Sequence, residues 1–268
     1  MPQDYFGAEA QQVLLHRGRA LFDLTRDATH FTYYGRAVGI FSPQDAPFEH
    51  LSHLARLQGS TNYARVPLAE MTVLSDEAEH SGFVPQRYAR WEGGNTALQM
   101  AQQTLNDRPL PKPLKTAWLS PETPHEIRAS FADMALACGV LPPNLAVLSG
   151  ALRPGLCLMA LDEAGKVVSC AAAAAFSHPE HPLGQHECWW GMLATDPAWR
   201  GHGLSLLLGA QVMLHMNQRH GFSRFFTGVE PGNAPSEAVC ARLGLSASDS
   251  GILGIADPSL VPGGRMTK

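Results

Sequence analysis

The stretch "DPAWRGHGLSLLLGA", residues 196–210, sets an arginine and two glycines directly ahead of a leucine-rich run. No Asp, Glu, Lys or Arg lies between Arg200 and Arg219, so a helix from about 204 to 220 has hardly any solvent face. Leu204, Leu207, Leu208, Val212 and Leu214 would pack it against a sheet on one side and a cover on the other. Arg219, His220 and Gly221 supply its C-terminal end. At its other end about four N–H groups lack intrahelical partners and carry a partial positive charge. Gly201 and Gly203 let a ligand approach those amides closely, and Arg200 adds a cation. The result is an anion site suited to a phosphate or pyrophosphate. No Gly-Lys-Ser/Thr follows the turn, and leucine at 206 breaks the dinucleotide pattern GxGxxG.

Working outward, ECWWGMLAT reads as a strand leading into this turn. GLCLMAL and KVVSCAAAAAF are two apolar runs joined by DEAG, a hairpin signal. Five consecutive alanines favour a helix by propensity, but the flanking turn and the β-branched Val167 and Val168 predict a strand. Its small side chains leave room for something to lie close against the sheet. RFFTGV is a further strand, NAPSEAVCARL a helix ended by Gly244, and GILGIA a last strand. Upstream, residues 8–26 and APFEHLSHLARLQG read as helices, FTYY and AVGIF as short strands. PLAEMTVLSDEAEHSGF is helical to Gly82, RYARWEGG is a strand, and PHEIRASFADMALACG is a helix. Residues 95–116 are polar and carry three close prolines, which marks a domain junction. The expected organisation is a small α/β domain over 1–100, a linker over 101–112 and a larger domain over 113–268. The fold class is α/β (α+β), with a mixed, mostly antiparallel central sheet flanked by helices.

Composition narrows the partners. Apolar residues make up 45% and charged residues 16% of the 268, with a formal charge of -4. This excludes a disordered chain and argues against a general nucleic-acid or anionic-membrane binder. Five cysteines without a CxxC pair read as free thiols in a reducing compartment. MPQDYFGAEAQQ has no basic region followed by an apolar one, and VVSCAAAAAF is too short to span a bilayer. The expectation is a cytoplasmic protein that needs neither membrane nor nucleic acid. Oligomeric state stays open.

Arg200-Gly201-His202-Gly203-Leu204-Ser205 resembles the Arg/Gln-x-x-Gly-x-Gly/Ala acyl-CoA signature of the GNAT N-acetyltransferase superfamily, with Ser205 where Gly or Ala is usual. VEPGNAPSEAVCARLGL is similar to the family's second signature: Asn233 and Ser236 match its polar positions, and Leu243-Gly244-Leu245 matches its end. The resemblance covers roughly 113–257. LAEMTVLSDEAEHSGFVPQRYARW looks like the end of a second, degenerate unit, and a plain cap domain is the alternative. The resemblance implies acetyl-CoA as co-substrate and a small-molecule amine as acceptor. It implies that amides at 201–205 hold the pyrophosphate, with Leu193, Ala194 and Thr195 along the pantetheine arm. An N–H near Gly191 or Met192 would polarise the thioester carbonyl.

Glu187 stands about where many members of the family place a catalytic base, and a solvated strand-end carboxylate is the alternative. Glu230 is a second candidate, and a cap on the turn before Asn233 is the favoured alternative. The position of the family's usual tyrosine acid is Cys240, a thiol that could donate a proton or simply be buried. His178, His181 and His186 share one loop without a cysteine at ligand spacing, so no metal is expected. That loop is expected to border the acceptor pocket. Trp189 and Trp190 face opposite sides of a strand, one able to wall that pocket. A non-catalytic acyl-CoA-binding or regulatory module is the alternative function, and a different phosphate-ligand protein a further one.

Overall fold

The computed structural model describes residues 5–266. Its elements are, in order, α1 (Glu9–Thr25), β1 (Phe31–Tyr33), β2 (Val38–Ile40), α2 (Phe48–Gln58), β3 (Ser60–Pro67), α3 (Met71–His80), β4 (Val84–Gly93) and α4 (Asn95–Asp107). There follow β5 (Lys115–Trp118), α5 (His125–Ala137), α6 (Leu145–Leu148), β6 (Gly155–Leu161), β7 (Val167–Ala175), β8 (Glu187–Thr195), α7 (Leu204–His220), β9 (Arg224–Val229), α8 (Ala234–Arg242) and β10 (Ser246–Ala256). All ten strands form one sheet in the order β1-β2-β3-β10-β4-β9-β8-β7-β6-β5. Only β2/β3 and β8/β9 pair in parallel. The expected mixed, mostly antiparallel architecture is therefore what the chain adopts.

The alanine run is a strand because helices cover both of its faces. Ala171, Ala173 and Ala175 pack with Leu207 and Val212 of α7, while Ala172 and Ala174 pack with Phe131 and Met134 of α5. Pairing with β6 and β8 on either side satisfies its backbone, and this outweighs helix propensity. Methyl side chains let both helical layers approach closely.

Two expectations change. Residues 101–107, placed in the linker, are helical and belong to α4. Ala97 and Ala101 are fully buried there with Leu98 and Leu105 beside them, so α4 is the cover that the apolar α7 requires. The extended connection is only the proline-bearing segment 108–114. The last strand, β10, does not pair within its own half: it lies between β3 and β4, with Leu253 opposite Tyr63 on one side and Arg87 on the other. The first and last thirds of the chain thus complete one sheet together.

Candidate functional site

The turn between β8 and α7 is built around two left-handed glycines, Gly201 at φ 83° and Gly203 at φ 74°. Asp196 opens it, its carboxylate accepting from the Ala198 amide at 3.0 Å and pairing with Lys166 at 2.8 Å. The first helical bond runs from the Leu207 amide to the Gly203 carbonyl at 3.0 Å. The amides of residues 201–206 have no protein acceptor among the described residues. Such a row is a ready anion cradle. Leu204 is buried as a plug beneath it, while Arg200 and His202 are exposed. The Arg200 Nε lies 3.4 Å from the Thr195 carbonyl, and the His202 Nδ1 lies 3.1 Å from the Arg200 carbonyl. The Ser205 hydroxyl meets that of Thr195 at 3.1 Å, which meets that of Ser169 at 2.9 Å. This chain of hydroxyls stitches the turn to β7 and β8.

One cation at this turn escaped the sequence reading. Arg108, just past α4, brings a guanidinium nitrogen to 3.4 Å from where a Cβ on Gly203 would stand. It has no salt bridge among the described residues. The cue was an arginine at the end of an unrecognised helix.

Beside the turn the sheet parts. β8 and β9 pair from Glu187↔Arg224 to Trp189↔Phe226 and no further. Beyond that point β8 bulges away from β7, with Met192 at φ 56°, an unusual conformation for a residue with a side chain. The resulting opening holds a cavity of about 350 Å³ that reaches both faces of the sheet. Leu193, Asn233, Ser236 and Cys240 line one side, and Tyr34, Arg36, Tyr88, Phe176 and Trp189 the other, with Gly191 and Met192 between. Ala194 is buried and falls outside the lining, as does Thr195. Asn233 caps α8, its side-chain oxygen accepting from the Ser236 amide at 3.3 Å. Trp189 and Trp190 both line the cavity; the Trp189 ring lies 4.7 Å from Tyr34, and the fully buried Trp190 donates to the Gly209 carbonyl at 3.1 Å.

The structure is less favourable to the two candidate acid–base residues. Glu187 is 1% exposed, is absent from the cavity lining, and holds Arg90 at 2.6 Å. It is therefore neither a solvated strand-end carboxylate nor a free base. Burial pushes the Cys240 thiol up to about 12, which makes it a poor acid towards an ordinary thiolate near 8.5. Glu230, at the end of β9, is the one carboxylate lining the cavity among the described residues; it pairs with Arg265 at 2.9 Å and keeps 46% of its side-chain surface exposed. The histidine loop does not border this cavity. His178 lines a separate cavity of about 230 Å³, and the His181 ring lies tilted against Phe41 at 4.1 Å, its pKa lowered by burial. No group of three metal-type side chains converges among the described residues.

A sheet opened between two parallel strands, next to a helix start with free amides, is the layout of an acyl-CoA-handling α/β protein. Residues 119–245 match the acetyltransferase (GNAT) family, and over that span the chain is a GNAT domain. That match supports an acyl-CoA-dependent acyltransferase in general. A GCN5-related N-acetyltransferase from Kribbella flavida has a TM-score of 0.55 at 14% identity, covering 92% of this chain and 96% of its own. A GCN5-related N-acetyltransferase-like protein from Streptococcus suis gives 0.55 at 16%, over 90% and 98%. A tandem GNAT protein from the clavulanic acid biosynthesis pathway gives 0.53 at 14%, over 78% and 67%. At such identities the likeness concerns the fold. Among curated proteins none matches. No helix among the described residues is long and apolar enough to cross a membrane.

Proposed function

We propose that the protein moves an acetyl group from acetyl-CoA to a primary amine by direct attack within a ternary complex. The observation that carries this reading is the row of free amides at 201–206 in the turn that follows β8, the strand that parts from β9. Pyrophosphate sits on those amides beside Arg108 and Arg200, and the pantetheine arm runs along Leu193 towards the opening. The thioester then lies at the bulge, where a backbone N–H near Met192 polarises its carbonyl. Holding both substrates in one cavity supplies a large share of the rate.

The amine nitrogen forms a bond to the acyl carbon, the carbon–sulfur bond breaks, and the electron pair leaves with the CoA sulfur. Glu230 takes the amine's proton and returns it to solvent, while water on the open side protonates the thiolate. Glu187 shapes the opening through Arg90 and does not handle protons. Cys240 packs against the pantetheine side as a neutral thiol. The first third of the chain serves as a partner half that supplies the acceptor wall, in a tandem arrangement.

Calorimetric titration with acetyl-CoA, wild type beside Gly203→Glu, tests the reading. A carboxylate there meets the pyrophosphate sterically and electrostatically. Micromolar binding by the wild type alone supports it, and equal weak heats from both proteins would sink it.

A further inference from the structure

The cavity wall contributed by the first third of the chain carries a charge that acyl transfer alone does not need. Tyr34 and Arg36 lie in the turn between β1 and β2 and line the cavity. The Tyr34 ring packs 4.7 Å from Trp189 and 5.8 Å from Phe176, and Phe176 meets Phe226 edge-on at 4.9 Å. These rings, inclined to one another, form an apolar wall. At its edge stands the Arg36 guanidinium, 5.5 Å from the Tyr34 centroid, with Nη1 3.4 Å from the Tyr34 hydroxyl. Its Nε is buried without an acceptor, and no carboxylate pairs with it among the described residues. The other charges at this wall are matched, since Glu230 pairs with Arg265. Tyr88, which donates to Gln86 at 2.8 Å, lies within electrostatic reach of Arg36, Glu230 and Arg265 together.

A half-buried guanidinium with an orphaned N–H is costly to hold unless an anion completes it. Here the chain holds it firmly. The absence of a side chain at Gly18 lets α1 lie against the Arg36 carbonyl, where a Cβ would collide. Asn144, capping α6, donates to the Gly35 carbonyl from its backbone at 2.9 Å and its side chain at 3.1 Å. Arg153 donates to the Tyr33 carbonyl at 2.6 Å. The turn is thus held by α1 on one side and by Asn144 and Arg153 from the middle of the chain on the other, as a preorganised binding group should be.

We infer that the acceptor is an amine bearing a carboxylate, an amino acid or a near analogue, whose carboxylate docks on Arg36 and whose carbon skeleton lies against Tyr34, Phe176 and Trp189. The inference rests on the acyl-transfer reading and names its substrate class. The planar guanidinium suits a carboxylate bidentately. Polycationic amines meet like charge at the same place, and a protein N-terminus brings no carboxylate to it. A cavity of about 350 Å³, shared with the end of the pantetheine arm, suits a small acceptor.

The test measures CoA release from acetyl-CoA with a set of amino acids, each beside its amide and its decarboxylated amine. The acid is expected to exceed its amide in kcat/KM by about tenfold or more, the factor of one charge-assisted hydrogen bond. Arg36→Gln should bring that ratio towards one through a raised KM, and Arg36→Lys should recover part of it. Thermal unfolding accompanies each variant; should Arg36→Gln not fold, the wild-type ratio and Arg36→Lys decide. Amides or decarboxylated amines used as well as the acids would overturn the inference, as would an Arg36→Gln effect equal on both. Acetyl-CoA calorimetry on the same preparations separates the two readings. No acetyl-CoA binding removes the acyl-transfer reading itself. Binding with only carboxylate-free amines consumed removes this inference alone, and binding with nothing consumed removes both readings.

Discussion

Arg90 of β4 and Glu187, the first residue of β8, join across the intervening β9 through a 2.6 Å ion pair with both side chains shielded from solvent. The Arg90 guanidinium lies 3.7 Å from the centre of the Phe226 ring, and Phe226 is the last β9 residue paired with β8. Its other nitrogens donate to Glu92 at 2.6 Å and to the Ala64 carbonyl at 3.0 Å. The point where the sheet opens is therefore pinned by an arginine from the first third of the chain.

Glu187→Gln should destabilise the fold while leaving catalysis largely in place. Removing one partner of a buried pair costs about 3–5 kcal/mol, and the lower end is expected because Glu92 still compensates Arg90. Urea unfolding measures the loss. A pH–rate profile that keeps its acid limb in Glu187→Gln, but loses it in Glu230→Gln, supports the assignment of the base. The reverse pattern would return Glu187 to that role.

Arg108→Ala should weaken acetyl-CoA about tenfold, the worth of one exposed charge-assisted contact. Screening shrinks the difference at high salt, because the Debye length falls to about 3 Å at 1 M. Titration at low and at high salt reads both effects. An unchanged affinity at low salt would remove Arg108 from the phosphate site.

Cys240 should be inert and felt only at alkaline pH. Burial raises its pKa from the ordinary thiol range to about 12. The protonated thiol is thus favoured in the folded state. Its stabilising contribution is complete below pH 9 and is lost as pH rises through 9 towards 12. Unfolding free energy should fall less steeply over that window in Cys240→Ala than in the wild type. Cys240→Ser should also keep kcat within a few fold, and a collapse of kcat would reinstate Cys240 as the acid.

Gly209→Ala should overpack the joint between α7 and β8. A Cβ there would stand 2.7 Å from the Trp190 ring, whose N–H is anchored on the Gly209 carbonyl. Overpacking of this kind costs about 1–3 kcal/mol. The denaturation midpoint should drop accordingly, and acetyl-CoA affinity should fall with it, since α7 begins at the turn proposed to hold the pyrophosphate. A midpoint equal to the wild type would mean that the joint has slack.

Elements whose apolar periodicity is strong and local were legible. The leucine-rich α7, the hairpin of β6 and β7, and the glycines that end α3, α7 and α8 follow from residue order alone. β3 was missed because Thr61 is buried with its hydroxyl on the Val38 carbonyl, so polar residues interrupt its apolar pattern. β5 is a four-residue edge strand with mostly exposed side chains and little signal. α4 buries alanines and exposes glutamines, which reads as polar text until α7 is set against it.

By itself the sequence determined the glycine turn ahead of α7, because left-handed glycines, free amides and an apolar helix are consequences of neighbouring residues. Tertiary structure decided which charged groups face the cavity. Glu187 is adjacent in sequence to the walls of the opening, yet Arg90, 97 positions away, neutralises it. Arg36 and Arg108 lie far from the turn in the chain and reach the site only through the shared sheet and the packing of α4. Electrostatic partners depend on distance in space, and no local pattern records it.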